Sequence, residues 1–585
     1  MSPSAEQRGG NKQDHAHAEQ IEIAIPSRGD LVYDNIEEKP ELHFRTWIAV
    51  AAMFLLNFVQ VFALQGPPSV LSHIGRSIDA TKSQTWIPNS LSLVQAVLGP
   101  MISSASDVFQ ARKILLVSSC CISFIGSATA PSCRSIGRLV TAQALIGVGF
   151  ASVPLTYCVP SEILPRRWRP VVQGAMNVAS SLAAVCAPLS IGALTRADPE
   201  HGWRKFYWIQ MALWGATAIG ILLAYRPPQR HTSLDGLSLP AKILSLDLTG
   251  FALFTIGLTL LLIGISLGGG LYPWDSSRVV GTLIAGVVLC IAFGIYEWKG
   301  TRTGILHHDL FQGDNGRGRT FSLCVVLIMI EGILLFSYII FYPVMTDSLF
   351  EQDAFLLVLR GEPFWIGCAV STMAYGWIST RLRSIRTPMF VGYLLWTGAI
   401  IGLATVQPGQ GVNATVLCGL AGFGCGAPLC LIIAGVQLSA PHSLIATATS
   451  VTTSGRAVAA TVFTAVYSAA YTDRTTRLVP QYISAAALAA GLPASSVSAL
   501  VTALSANNET ALGDVADISE QIAAASSAAQ KHALADSIRV VYMIAAPFGA
   551  LACIICFFMG DLTKTMNYRV DAPVEELKAI HTVEG

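Results

Sequence analysis

Between residues 46 and 559 the chain repeats one pattern, an apolar run of about twenty residues followed by a polar joint. A helix needs roughly 20 apolar residues to cross the ~30 Å hydrocarbon core of a bilayer. Lipid offers no partner for a backbone N–H or C=O, so only helices and closed barrels span it. These runs are helix-length, not ten-residue alternating strands, which excludes a barrel. The windows fall near 46–65, 86–105, 113–131, 136–158, 171–192, 205–224, 247–267, 278–297, 320–345, 361–379, 388–406, 411–437, 444–470 and 538–559. Fourteen windows predict an all-α polytopic membrane protein. Charged residues make up 12%, about half the ~25% of a soluble domain, which excludes an ordinary water-soluble enzyme. The 52% hydrophobic content excludes general disorder. A net charge of +1 leaves no basic surface for nucleic acid.

The polar joints set the topology. With an even number of crossings both tails lie on one side. The loops on that side hold Arg112 and Lys113; Arg166, Arg167 and Arg169; Arg226, Arg230 and Lys242; Lys299, Arg302, Arg317 and Arg319; Arg381, Arg383 and Arg386. Basic residues collect on the cytoplasmic side, so both tails are expected in the cytosol. Residues 1–45 lack the apolar core of a signal peptide and read as a disordered cytoplasmic tail, with a second tail at 561–585. Both N-x-[ST] sequons, at Asn413 and Asn508, then fall outside; Asn413 lies close to the membrane, so Asn508 is the expected glycosylation site. Segment 472–537 is Ala- and Ser-rich, with Leu488, Leu492, Leu500 and Leu504 at helical spacing. It reads as a long external loop with short amphipathic helices, a fifteenth span being the alternative. The 13 cysteines sit nearly all in apolar runs without CxxC spacing, and read as small buried hydrophobes rather than a disulfide framework.

No GxxxxGK[ST], HExxH or GxSxG motif occurs. His307 and His308 are adjacent, a poor metal spacing, so neither metal nor cofactor is expected. A polytopic chain without a phosphate site runs on an ion or substrate gradient, which points to a secondary transporter.

Several short stretches refine this. The loop after the second window, Ser103-Ser-Ala-Ser-Asp107-Val-Phe-Gln110-Ala-Arg112-Lys113, resembles the G-x-L-x-D-x-x-G-R-K loop of the major facilitator superfamily, with Ser103 and Gln110 in place of glycines. Gly376-Trp-Ile-Ser-Thr-Arg381-Leu-Arg383 repeats it faintly one half-molecule later, as two related halves imply. Gln143-Ala-Leu-Ile-Gly147-Val-Gly149 stands where the family has an arginine followed by G-x-G. Ala187-Pro188-Leu-Ser-Ile191-Gly192 resembles the G-P-x-x-G-G kink of proton-coupled exporters, keeping Pro188 and Gly192. The two windows at 247–297 resemble the additional pair of the fourteen-helix drug:proton antiporter branch. Ser161-Glu162-Ile-Leu-Pro-Arg166-Arg167-Trp-Arg169-Pro170, Gly202-Trp-Arg204, Tyr225-Arg-Pro-Pro228, Asp247-Leu-Thr-Gly250 and Gly270-Leu-Tyr-Pro-Trp274 together look like the fungal trichothecene efflux pump family, a relative of the siderophore-iron transporters. The resemblance covers roughly residues 40–560. It implies six-helix bundles at 46–224 and 320–560, joined by a cytoplasmic linker at 225–246 and the extra helices at 247–297. It also implies a cytoplasmic gate at Asp107, Arg112 and Lys113.

Charge inside hydrocarbon is costly and marks function or pairing. Glu331, in an apolar run, is the candidate proton-binding carboxylate, with a structural pair as the alternative. Arg456, in the middle of window 444–470, is a candidate anion binder or partner of Glu331. Glu162 beside Arg166 and Arg167 is a candidate gating salt bridge. Asn57, Gln60, Asn89, Gln95, Gln143 and Asn177 are candidate cavity amides; helix packing accounts for each equally well. The expectation is a monomeric plasma-membrane exporter, the vacuolar membrane being the alternative site, that couples proton entry to efflux of small apolar or oxygenated compounds. A siderophore-iron importer and a membrane sensor that moves nothing are the rivals.

Overall fold

Each of the fourteen apolar windows lies in helical structure. The computed structural model describes residues 33–80, 83–227, 239–244, 246–268, 272–301, 304–312, 316–351, 353–505, 515 and 518–578. Its long helices are α1 (Phe44–Ser69), α2 (Trp86–Phe109), α3 (Arg112–Thr129), α4 (Ile136–Phe150), α5 (Val153–Ile163), α6 (Arg169–Ala197), α7 (Gly202–Ala224), α8 (Leu248–Gly268) and α9 (Ser277–Ile295). There follow α10 (Arg317–Leu349), α11 (Ala354–Leu382), α12 (Arg386–Leu403), α13 (Gly411–Ser439), α14 (Ile445–Ala489), α15 (Ala494–Ser505) and α16 (Glu520–Phe557). Among the described residues eleven helical segments are long and apolar enough to cross a membrane, α4 and α5 forming one of them. The other three windows fall in α11, α12 and α14. These carry Arg360 and Glu362, Tyr393 and Trp396, and a Thr- and Ser-rich start at 447–454, polarity that faces neighbouring helices more than lipid.

Local sequence explains the breaks. α4 gives way to α5 at Ala151–Ser152, and Pro154 in the first turn of α5 tolerates the lost N–H there. α2 and α11 each end on a left-handed residue, Gln110 (φ 55°) and Arg383 (φ 51°). Gln110 stands where the related loop carries glycine, so the tight turn survives; its Nε2 donates to the Asp107 carbonyl at 3.1 Å.

Two apolar cores form, one from α1–α7 and one from α10–α14 with α16. α8 and α9 pair beside them through glycines: a Cβ on Gly286 would lie 2.6 Å from the Leu261 nitrogen. Ile284, Val287, Val288, Ile291 and Ile295 of α9 face outward, as a lipid-contacting helix requires. α13 packs on its glycines, Gly422 against the Phe364 carbonyl of α11 and Gly424 against the Trp396 nitrogen of α12.

Two expectations need correction. Segment 472–537 is not a loop of short helices. α14 runs on to Ala489 and α16 begins at Glu520, and with α15 they close a third apolar cluster of Val479, Ile483, Leu492, Leu500 and Ile522. The alanines there are strong helix formers, and Pro480 lies inside α14 without ending it. α15 has twelve residues, too short to span. Asn508 lies outside the described residues; Asn413 is exposed in the first turn of α13. The second correction concerns the tails. Residues 33–41 are held rather than disordered: Tyr33 pairs with Val570, and the Glu41 N–H donates to the Lys578 carbonyl at 2.8 Å. All thirteen cysteines are free thiols.

The α11–α13 contact has a direct test. A Cβ at Gly422 would sit 1.9 Å from a backbone oxygen, whereas one at Gly192 meets nothing within 4 Å. Gly422→Ala should therefore lower stability by about 1–3 kcal/mol through overpacking. Gly192→Ala should be neutral or stabilise by up to about 1 kcal/mol. Melting curves of the two variants in detergent compare them directly.

Candidate functional site

Charged residues of both halves meet on the face that carries the two tails. Asp107 ends α2 and Arg112 opens α3, so the tight turn between them brings Arg112 Nη2 within 2.9 Å of Asp107 Oδ1. The same guanidinium pairs with Glu162 of α5. The second Asp107 oxygen accepts from Thr447 twice, from its N–H at 3.0 Å and its hydroxyl at 2.9 Å. Thr447 lies in the first turn of α14. A carboxylate from one half thus satisfies a free N–H of a helix in the other, at the positive end of its dipole.

α6 extends this junction along its length. Arg169 donates to the Gln437 carbonyl of α13. Gln173 donates to Gln437 Oε1 (3.1 Å), and Asn177 to the Leu429 carbonyl (3.2 Å). Against α11 the approach is backbone to backbone. A Cβ on Gly174 would lie 2.6 Å from the Thr372 oxygen, and one on Gly376 2.7 Å from the Pro170 oxygen. The two halves are therefore shut together on the tail-bearing face.

The C-terminal segment seals it. Asp571, its side chain 1% exposed, lies 2.6 Å from both Arg166 and Arg169 of the first half and 3.7 Å from His442 of the second. Backbone bonds hold the segment flat: Arg166 N–H donates to the Arg569 carbonyl (3.0 Å), Arg167 N–H to Asn567 (2.8 Å), and Ala572 N–H to the Glu162 carbonyl (2.9 Å). Burial alone would push the Asp571 carboxyl up. Arg169, aided by Arg166 and His442, outweighs burial and holds it well below the usual carboxylate range.

A second charged pair lies within the second half. Arg456 Nε of α14 is 2.7 Å from Glu331 Oε2 of α10; the Glu331 side chain is fully buried and that of Arg456 is 26% exposed. The pair ties two helices whose backbones approach closely, since a Cβ on Gly332 would lie 2.9 Å from the Arg456 oxygen.

Of the residues singled out from sequence, the structure brings together Asp107, Arg112 and Glu162, and separately Glu331 and Arg456. Glu162 does not pair with Arg166 or Arg167, which corrects one expectation. The extended backbone at Leu164 and the 3₁₀ turn at Arg166–Trp168 swing both arginines to the tail, Arg166 to Asp571 and Arg167 to the Tyr568 hydroxyl (2.8 Å). Lys113 is half-buried and joins none of these pairs. The structure gives most of the amides a donor contact within the protein. Asn57 donates to the Met176 carbonyl and to Ser180 (2.8 Å). Gln60 donates to Gly149 and Ser152 (both 3.0 Å), and Gln143 to Tyr207 (2.6 Å). All three are buried; Gln60 is bonded at both ends, its oxygen accepting from Thr156, whereas Asn57 Oδ1 and Gln143 Oε1 keep no partner. Asn177 bridges the halves, Asn89 reaches Ser266 of α8 (3.2 Å), and Gln95 is half-buried. Pro188 is buried inside a continuous α6, and Gly192 lies one turn beyond. Asp571, Thr447, Gln437 and Glu362 were missed. Only Glu362 carried a signal, an acid inside an apolar window.

The helix arrangement is that of the major facilitator transporters. The solved proton:xylose symporter XylE bound to 6-bromo-6-deoxy-D-glucose matches with a TM-score of 0.53 at 12% identity, covering 89% of this chain and 98% of that one. The human organic anion transporter MFSD10 (TETRAN) matches at 0.50 and 12%, over 86% and 99%. The model of the fungal trichothecene efflux pump family (TRI12) matches residues 28–582, and the chain belongs to that family. The trichothecene efflux pump TRI12 of Fusarium sporotrichioides is 23% identical over 95% of this chain and 93% of its own. The acurin A biosynthesis cluster MFS-type transporter of Aspergillus aculeatus is 25% identical over 76% and 78%. The protein is accordingly a multi-pass membrane transporter of small molecules and not an enzyme.

The tail contact predicts a pH profile. A depressed carboxyl contributes its stabilisation above its free value, ~3.9, and loses it only as pH falls through the lower folded value. Docking of 561–578 should therefore not weaken as pH falls from 8 to 5, since Asp571 stays charged and His442 gains a favourable charge. Asp571→Asn leaves buried Arg169 short of its counter-charge, at a cost of about 3–5 kcal/mol. Limited proteolysis within 561–578 should then speed up at least tenfold, with unchanged cleavage elsewhere.

Proposed function

We propose that this transporter expels small, oxygenated, mostly apolar compounds across the plasma membrane, as a monomer, in exchange for entering protons. Relatives over most of the chain are named as efflux pumps, among them the trichothecene pump. The observation that carries the coupling is the buried Glu331–Arg456 contact. A proton arriving from outside cancels the Glu331 charge and removes the tie between α10 and α14. Its release to the cytosol restores the tie. Proton binding thus favours one packing of these helices and proton loss the other, which is what an exchanger needs to couple a gradient to alternating access.

The face closed by Asp107–Thr447 and Arg169–Gln437 is one of the two states such a cycle visits. Opening it requires both contacts to break, together with the Asp571 contacts that lie over them. Within the first half, Asn57 Oδ1, Gln143 Oε1 and Gln210 Oε1 are buried without a hydrogen-bond partner, polar groups that suit an oxygenated cargo.

Glu331→Gln keeps the size and a hydrogen-bonding group while removing the titrating charge. In vesicles given a pH step and a labelled trichothecene, the variant should keep its melting temperature within a few degrees yet lose concentrative transport at least tenfold. Full activity in Glu331→Gln would remove this residue from the coupling.

A further inference from the structure

Glu362 is a further carboxylate buried among the helices, and its surroundings differ from those of Glu331. It lies in the third turn of α11, between Gly361 and Pro363, and is 4% exposed. Its Oε2 has no hydrogen-bond partner. Among the described residues no lysine, arginine or histidine forms an ion pair with it, whereas Glu331 has Arg456. Arg360, two residues earlier on α11, turns to the Phe350 ring, 5.8 Å from its centroid. The titratable groups that face Glu362 are Cys186 of α6 and Cys418 of α13, and Cys418 is in turn 2.9 Å from the Tyr338 hydroxyl of α10. None of these neighbours brings a positive charge.

The position matters as much as the isolation. Residues 362, 369 and 376 recur every two helical turns and share one stripe of α11. Gly376 on that stripe meets the Pro170 backbone of α6, and Thr372, one turn before it, meets Gly174. Glu362 continues the stripe toward the face opposite the tails, alongside the half of α6 that holds Cys186 and Pro188. α6 and α11 belong to different halves, so their seam must part and re-form during alternating access. A carboxylate without a partner is poorly tolerated in a closed apolar seam, and a carboxylic acid is tolerated far better.

We propose that Glu362 is a proton-operated gate residue. With a proton on its carboxyl, α6 and α11 stay closed on each other at this level. When the seam opens away from the tails, water takes the proton from the carboxyl oxygen, and the hydrated carboxylate keeps the helices apart until a proton returns. The inference deepens the proton-coupled reading by placing a second titrating group at the junction of the halves, separate from the Glu331–Arg456 pair.

The test is amide hydrogen exchange of residues 180–192 and 354–366 in purified protein between pH 5 and 9, corrected for the intrinsic pH dependence of exchange. In the wild type, protection of both segments should fall at least tenfold as pH rises. Glu362→Gln, which imitates the neutral acid, should stay protected throughout. Glu362→Asp should keep the fall at a shifted midpoint, and it carries the test if the glutamine variant does not fold. A glutamine variant with the wild-type profile, or a wild type whose protection ignores pH, overturns the proposal. The measurement needs no substrate. If a pH step drives no flux of labelled trichothecene but the Glu362-dependent change in protection is present, proton-coupled export fails and the gate stands.

Discussion

The structure hangs on the contact between α6 and α11, where two glycines let backbone meet backbone across the boundary between halves. In lipid no hydrophobic drive pushes helices together, so close packing and polar bonds have to do it. Gly174 and Gly376 provide the first. Arg169, Gln173 and Asn177, on the same helix, provide the second through Gln437 and Leu429. The seam is tight and yet reversible, because it consists of many modest contacts that can be exchanged for water on one side at a time.

Around that seam, charge is distributed by depth. At the tail-bearing face the acids Asp107, Glu162 and Asp571 each have arginine partners, and the cluster closes the halves on each other. Deeper in, Glu331 has one partner within its own half. Glu362, on the boundary itself, has none among the described cations. An acid free of a fixed counter-charge gains or loses a proton without first breaking an ion pair, which sets Glu362 apart from Asp107, Glu162, Asp571 and Glu331.

Much of the architecture was legible in the residues because the bilayer imposes a length and a polarity on every crossing. The turn from Asp107 to Arg112 was legible through its resemblance to the family's loop, whose acidic residue pairs with a nearby base. Legibility failed where contacts span hundreds of residues. Asp571 sits in a polar tail whose composition says nothing of a docking site, and Thr447 is one hydroxyl among many in α14. The amides were ambiguous by type, fitting cavity lining and helix packing equally. Asn57, Gln60 and Gln143 each donate to an adjacent helix, while Asn57 Oδ1 and Gln143 Oε1 keep no partner. In segment 472–537 the alanines carried the helical signal, and its long reach is set by packing against α15 and α16 that composition does not encode.

The segment around Asp571 has a consequence for biogenesis. The arginines that it covers, Arg166 and Arg169, are made some four hundred residues before it. A partly synthesised chain therefore carries those arginines uncovered until this segment is made. Closure of that surface waits for residue 571, so a chain cut short before it lacks the seal.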